Sequence, residues 1–104
     1  MLIGIVAERL DSGERLRTGL ESAGYKVYGI LDLEREFLYL DDDDLQVVII
    51  IKRPISLTDV GDYIIIVKNP ENRRLGKVMW SDSIGRGYHP EVVLNDLRHL
   101  LATD

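Results

Sequence analysis

The chain contains no cysteine. Disulfides, thiolate metal sites and cysteine nucleophiles are therefore excluded together. It also lacks a charged-then-apolar N-terminal signal, and no apolar run approaches the ~20 residues that cross a bilayer. These absences suit a protein of the reducing cytoplasm, without a membrane partner. Positive charge is in deficit too, with a formal net charge of −5. That argues against a dedicated nucleic-acid binder, because phosphate contacts need clustered Lys and Arg. Linkers, internal repeats and low-complexity tracts are missing, so residues 1–104 read as one domain. A chain of this length buries roughly two-thirds of its unfolded surface, enough for one core.

The charge that is present is unevenly placed. Residues 1–50 carry eleven acidic and five basic residues, whereas residues 51–104 carry eight basic and seven acidic ones. Lys68, Arg73, Arg74, Lys77 and Arg86 gather within one stretch, against Glu71 and Asp82.

The apolar pattern predicts alternating strands and helices. Leu2–Ala7 is a short run without polar alternation, as in a strand buried on both faces. Asp11 stands three residues before Glu14, a capping-box spacing, and Leu16, Leu20 and Ala23 follow at helical intervals. Gly24 ends that helix and Lys26–Leu31 forms the next strand, giving a parallel crossover unit. Leu33, Phe37 and Leu40 make one face of a short helix, stopped by the acidic run Asp41–Asp44. Leu45–Ile51 is the most apolar segment and predicts a central strand, closed by Pro54. After the short connection Ile55–Gly61, Tyr63–Val67 predicts a fourth strand and Lys77–Trp80 a fifth. The polar loop between them is too short for a crossover helix, so an antiparallel hairpin is expected. Pro90 opens a final helix whose apolar face is Val93, Leu94, Leu97, Leu100 and Leu101. His99, beside these leucines, is expected to pack half-buried. The predicted fold is α/β and three-layered, with a mostly parallel five-stranded sheet and an antiparallel edge hairpin of strands four and five.

Three segments resemble a known family. IGIVAERLDSGERLRTGLESAGYKVYGIL resembles the opening of a response-regulator receiver domain. LQVVIIIKRP resembles the third strand and following loop of that family, and HPEVVLNDLRHLL its last helix. The resemblance implies a flavodoxin-like fold and a regulatory role. It also exposes departures. Receivers hold a divalent cation with two acids after strand one, where this chain has Ala7 and Glu8. Ile50 or Ile51 stands where the phosphoacceptor aspartate would be. Lys68, Lys77, Ser81 and Arg86 do not reproduce the hydroxyl and lysine expected after strands four and five. The resemblance therefore implies a pseudo-receiver that cannot run the phosphorylation switch.

Two sets of residues are candidates for function. In open α/β sheets, ligands bind beyond the carboxyl ends of the parallel strands. Glu8, Asp32 and Lys52 stand at three such ends. Two carboxylates suit a hydrated magnesium ion, and Lys52 suits an anionic ligand. The structural alternative is a Glu8–Lys52 ion pair with Asp32 capping the next helix. The second set is Tyr63, Arg73, Arg74, Lys77, Trp80, Arg86 and Tyr88, an interaction surface on the hairpin side. Aromatic anchors favour protein interfaces, with core packing of these aromatics as the structural alternative, and an open sheet edge on the strand-four/strand-five side invites a second copy. The same bases offer an alternative role in nucleic-acid binding. Asp41–Asp44 lacks the alternation of a calcium loop, and Gly85-Arg86-Gly87 lacks Walker spacing. No cofactor is expected, and His89 and His99 have no metal-ligand spacing. The leading expectation is a non-catalytic module that binds another protein or itself.

Overall fold

A computed structural model describes residues 1–42, 44–52, 62–68, 75–81 and 89–102; within them the side chains at 36, 37, 75–77 and 79–81 lie outside the description. Strands β1 (Leu2–Ala7), β2 (Lys26–Asp32), β3 (Val47–Lys52), β4 (Asp62–Lys68) and β5 (Leu75–Ser81) form one sheet in the order β2-β1-β3-β4-β5. Helix α1 (Leu10–Ser22) follows β1, and α3 (Pro90–Ala102) closes the chain. A 3-10 turn (Leu33–Arg35) leads into the short helix α2 (Glu36–Leu40). The α/β class, the mixed sheet and the C-terminal helix agree with the sequence expectation.

Strand directions differ in one respect. β1 is parallel to β2 and β3, but β4 is antiparallel to β3 as well as to β5. Half of the pairings are thus antiparallel, where the hydropathy pattern implied a mostly parallel sheet. The reason lies in chain length. Only residues 53–61 separate β3 from β4, and a parallel return needs a dozen or more.

The sheet is apolar on both faces, with side chains alternating as a pleated strand requires. Ile3, Ile5, Val47, Ile49, Ile51 and Ile65 pack beneath Leu16 and Leu20 of α1 and Val93 and Leu97 of α3. Val6, Val48, Ile50 and Ile66 pack on the opposite face with Tyr39 and Leu45. β2, at the edge, has both terminal residues exposed.

Helix ends obey local chemistry, with one correction. At the C-terminus of α1, Tyr25 N–H donates to Leu20 O and Gly24 N–H to Glu21 O, a Schellman closure. Gly24 takes φ +93°, which glycine adopts without strain. At the N-terminus Arg9, not Asp11, is the cap residue, and no side chain caps the helix. Asp11 sits inside the first turn, where its carboxylate bonds Arg9 and the Ser12 N–H and complements the dipole. His99 is exposed, not half-buried. It follows Leu97 by two positions, so it faces away from the stripe that Leu97 and Leu100 bury.

Tyr39 and Lys68 hold the face opposite α1 and α3. Gly4 and Gly29 are partners in the β1–β2 register, leaving a bare patch on the sheet. Tyr39 lies on it: a Cβ at Gly4 would stand 2.9 Å from Tyr39 Cδ2, and one at Gly29 3.2 Å from its hydroxyl. The Tyr28 ring meets Tyr39 edge-on at 5.8 Å. Lys68, at the end of β4, is buried and donates from Nζ to Tyr39 O at 2.8 Å and Asp42 O at 2.7 Å. Those carbonyls lie at the end of α2, where they also accept the Asp42 and Leu45 N–H groups and where a cation is favoured. In the acidic run, Asp42 Oδ1 accepts from Asp44 N–H, so these residues form a local turn. Asp43 lies outside the described residues.

Burial, then Tyr28 and Asp42, push the Tyr39 hydroxyl above its ordinary pKa. A raised pKa in the fold favours the neutral form. Its contribution to stability is full below the unfolded value of about 10 and lost as pH rises through the folded one. Urea midpoints should fall on the alkaline limb above about pH 10, and Tyr39→Phe should flatten that fall. An unchanged limb would remove Tyr39 as its source.

Candidate functional site

The ends of β1, β2 and β3 are level, because Ala7 is in register with both Asp32 and Ile51. Glu8 N–H donates to Ile51 O at 3.1 Å, extending the ladder one residue further. The backbone thus brings Glu8, Asp32 and Lys52 to one rim, as expected. Glu8 and Asp32 are exposed and Lys52 is half-buried opposite Asp62 of β4. Close packing of α1 on the sheet completes this end. A Cβ at Gly13 would meet Ile30 Cγ2 at 2.8 Å and Ala7 Cβ at 3.1 Å, so only glycine lets the first turn of α1 settle here.

The rim does not form the expected ion pair. Among the described residues the ion pairs are Arg9–Asp11 and Arg17–Glu21, and none joins Glu8 to Lys52. Nor, among them, does the Asp32 side chain cap the turn that follows. Among the described residues no group of three or more His, Asp or Glu side chains could hold a metal ion.

A groove of about 1260 Å³ runs along α1 from Arg9 to Gly19 against the start of α3, and Glu8, Asp32 and Lys52 are not in its lining. Leu94 and Pro90 belong to its apolar lining, Arg9, Arg15 and Glu91 are among its charged residues, and His89 lies with them. Leu10, also in its lining, is 68% exposed. The sequence pattern did not disclose this groove, because its two walls lie some seventy residues apart in the chain. The only local signal was a leucine beside the expected helix start.

The second candidate set divides. Tyr63 is 1% exposed and does not belong to a surface. It lies on an interior strand, in register with Ile51, and its hydroxyl bonds Asp96 of α3. Its role is to pin α3 to the sheet. Tyr63→Phe should lower stability by about 2 kcal/mol, the usual scale for a hydrogen bond to a charged group. A urea midpoint within error of the parent would refute this. Lys77 and Trp80 are on the edge strand β5, in register with Val67 and Ile64. Arg73, Arg74, Arg86 and Tyr88 lie outside the described residues. Lys68 sits at the end of the sheet opposite the rim, because β4 is reversed. Sequence reasoning missed Lys68 as the clamp on α2 and Tyr39 as its partner.

No family model, curated protein or solved structure matches the chain. Among the described residues no helix is long and apolar enough to cross a membrane.

Proposed function

We propose that this chain is a receiver-like regulatory module without catalytic activity, acting by binding another protein or a second copy of itself in the cytoplasm. The observation that carries this reading is the end of β3. Ile50 and Ile51 are 5% and 1% exposed there. Branched aliphatic side chains cannot accept a phosphoryl group. The strand order agrees with the flavodoxin-like order. The reversal of β4 departs from an all-parallel sheet and separates Lys68 from the rim. The test is incubation with acetyl phosphate and magnesium, followed by intact-mass measurement. No phosphoryl adduct is expected. A stable aspartyl phosphate would overturn the proposal.

A second reading is supported by the level, mixed-sign rim: a small-molecule or nucleotide site using Glu8, Asp32 and Lys52. A ligand that binds only the native state at 100 times its Kd stabilises it by about 2.7 kcal/mol. Magnesium, or magnesium with a nucleotide, should then raise Tm, and Glu8→Ala with Lys52→Ala should abolish the rise. Nucleic-acid binding through Arg73, Arg74, Lys77 and Arg86 has no specific observation in its favour.

A further inference from the structure

We infer that the outer edge of β2 is a self-association seam, where two copies pair antiparallel about the Tyr28–Gly29 step to make one continuous sheet. This rests on the interaction reading and names its partner. β2 pairs with β1 alone, and its other edge carries main-chain donors and acceptors with no partner among the described residues. Such an edge is a template for another strand.

The sequence of β2 (KVYGILD) fits itself in one register only. Its pairing with β1 shifts at Tyr28: Ile3 pairs with Val27 and Gly4 with Gly29, leaving Tyr28 as an extra residue. A bulge of this kind re-aims a side chain. Tyr28 and Gly29 consequently share the Tyr39 face, to which Leu31 also belongs. Val27 and Ile30 share the opposite face, which α1 covers.

Antiparallel partners must have their side chains on the same face. A two-fold axis between Tyr28 and Gly29 satisfies this throughout. It sets Tyr28 against the partner's Gly29 and Val27 against the partner's Ile30, and the pleat sets Lys26 against the partner's Leu31. A shift by one residue breaks the match at once, pairing Tyr28 with the partner's Ile30. In an unbulged strand, Tyr28 and Gly29 would face opposite ways and this axis would be impossible. Tyr28 is 56% exposed. In the seam its ring would pack beside the partner's Tyr39 hydroxyl, which sits over the partner's Gly29.

Charge points to the same partner. Lys26 stands exposed at one end of β2, and exposed Asp32 and Glu34 outnumber Arg35 at the other. The two-fold brings each basic end to the partner's acidic end, a self-complementary arrangement.

The test is the mass of the full chain by light scattering over a concentration series. The parent should reach dimer mass, and Tyr28→Lys should raise Kd by about 30-fold or more, the loss of a buried aromatic anchor. The absence of native cysteine allows a second measurement. In this register the two residues at position 28 lie about 6 Å apart across the axis, within disulfide reach. Tyr28→Cys should therefore oxidise to a covalent dimer, and Val78→Cys on β5 should not. A parent that stays monomeric to about 1 mM, the weak end of specific affinity, would overturn the seam. So would a dimer indifferent to Tyr28→Lys, or cross-linking through position 78 in place of 28. A monomer would leave the interaction reading in need of a different partner. An aspartyl phosphate would defeat that reading without touching the seam.

Discussion

Replacing Lys68 with methionine is expected to destabilise the protein by about 3 kcal/mol, the upper range for hydrogen bonds to a charged group. For a domain of this size that is a fall in Tm of roughly 15 °C. Methionine fills much of the volume of lysine, so the loss reports hydrogen bonds more than packing. The Lys68 ammonium closes the Tyr39 and Asp42 carbonyls at 2.8 and 2.7 Å. Without it, each carbonyl keeps only its backbone donor, the Asp42 N–H on Tyr39 O and the Leu45 N–H on Asp42 O. Asp42 also loses the buried cation held at its backbone. Thermal unfolding followed by circular dichroism checks this. A shift below about 3 °C, under 1 kcal/mol on the same scale, would mean that water replaces the ammonium freely. Lys68→Arg should recover only part of the loss, because a planar guanidinium does not reproduce the compact ammonium.

Gly4→Ala should cost about 2 kcal/mol, within the range for overpacking a core. An added Cβ would approach Leu45 Cδ1 to 2.8 Å and Tyr39 Cδ2 to 2.9 Å. Leu45 can swing away, but the Tyr39 ring is backed by its seat on Gly29 and by Tyr28. Alanine in a strand ordinarily improves on glycine by roughly 0.5–1 kcal/mol, so a net loss identifies the ring contact. A double-mutant cycle tests the cause. In a Tyr39→Ala background the Gly4→Ala cost should fall by at least about 1 kcal/mol, since residues in contact are not additive. Equal costs in both backgrounds would refute the glycine seat.

Both sites depend on neighbours that the local pattern does not show. Leu33, Phe37 and Leu40 predict one continuous helix. The chain instead makes a 3-10 turn at Leu33–Arg35 before the α-helix begins. A 3-10 turn advances fewer residues per revolution, so the later positions rotate and Tyr39 comes inward. The two glycines that receive it are twenty-five positions apart, and only the register makes them neighbours. Tyr63 failed as a surface residue for a related reason. An aromatic in an apolar strand reads alike at an edge or in the interior, and the position of β4 between β3 and β5 decided it.

The sequence by itself determined the local elements: buried strands from continuous apolar runs, α3 from its leucine spacing and opening proline, and the end of α1 from Gly24. It also determined that Glu8, Asp32 and Lys52 each follow or finish a strand, while the register made those ends level. Tertiary structure alone decided the direction of β4, the bulge that turns Tyr28 and Gly29 to one face, the groove between α1 and α3, and the clamp of Lys68 on α2. The physical reason is range. Propensity, capping and hydrophobic period act within one or two turns of chain. Strand direction, register and the burial of Lys68 depend on partners that only the folded chain brings together.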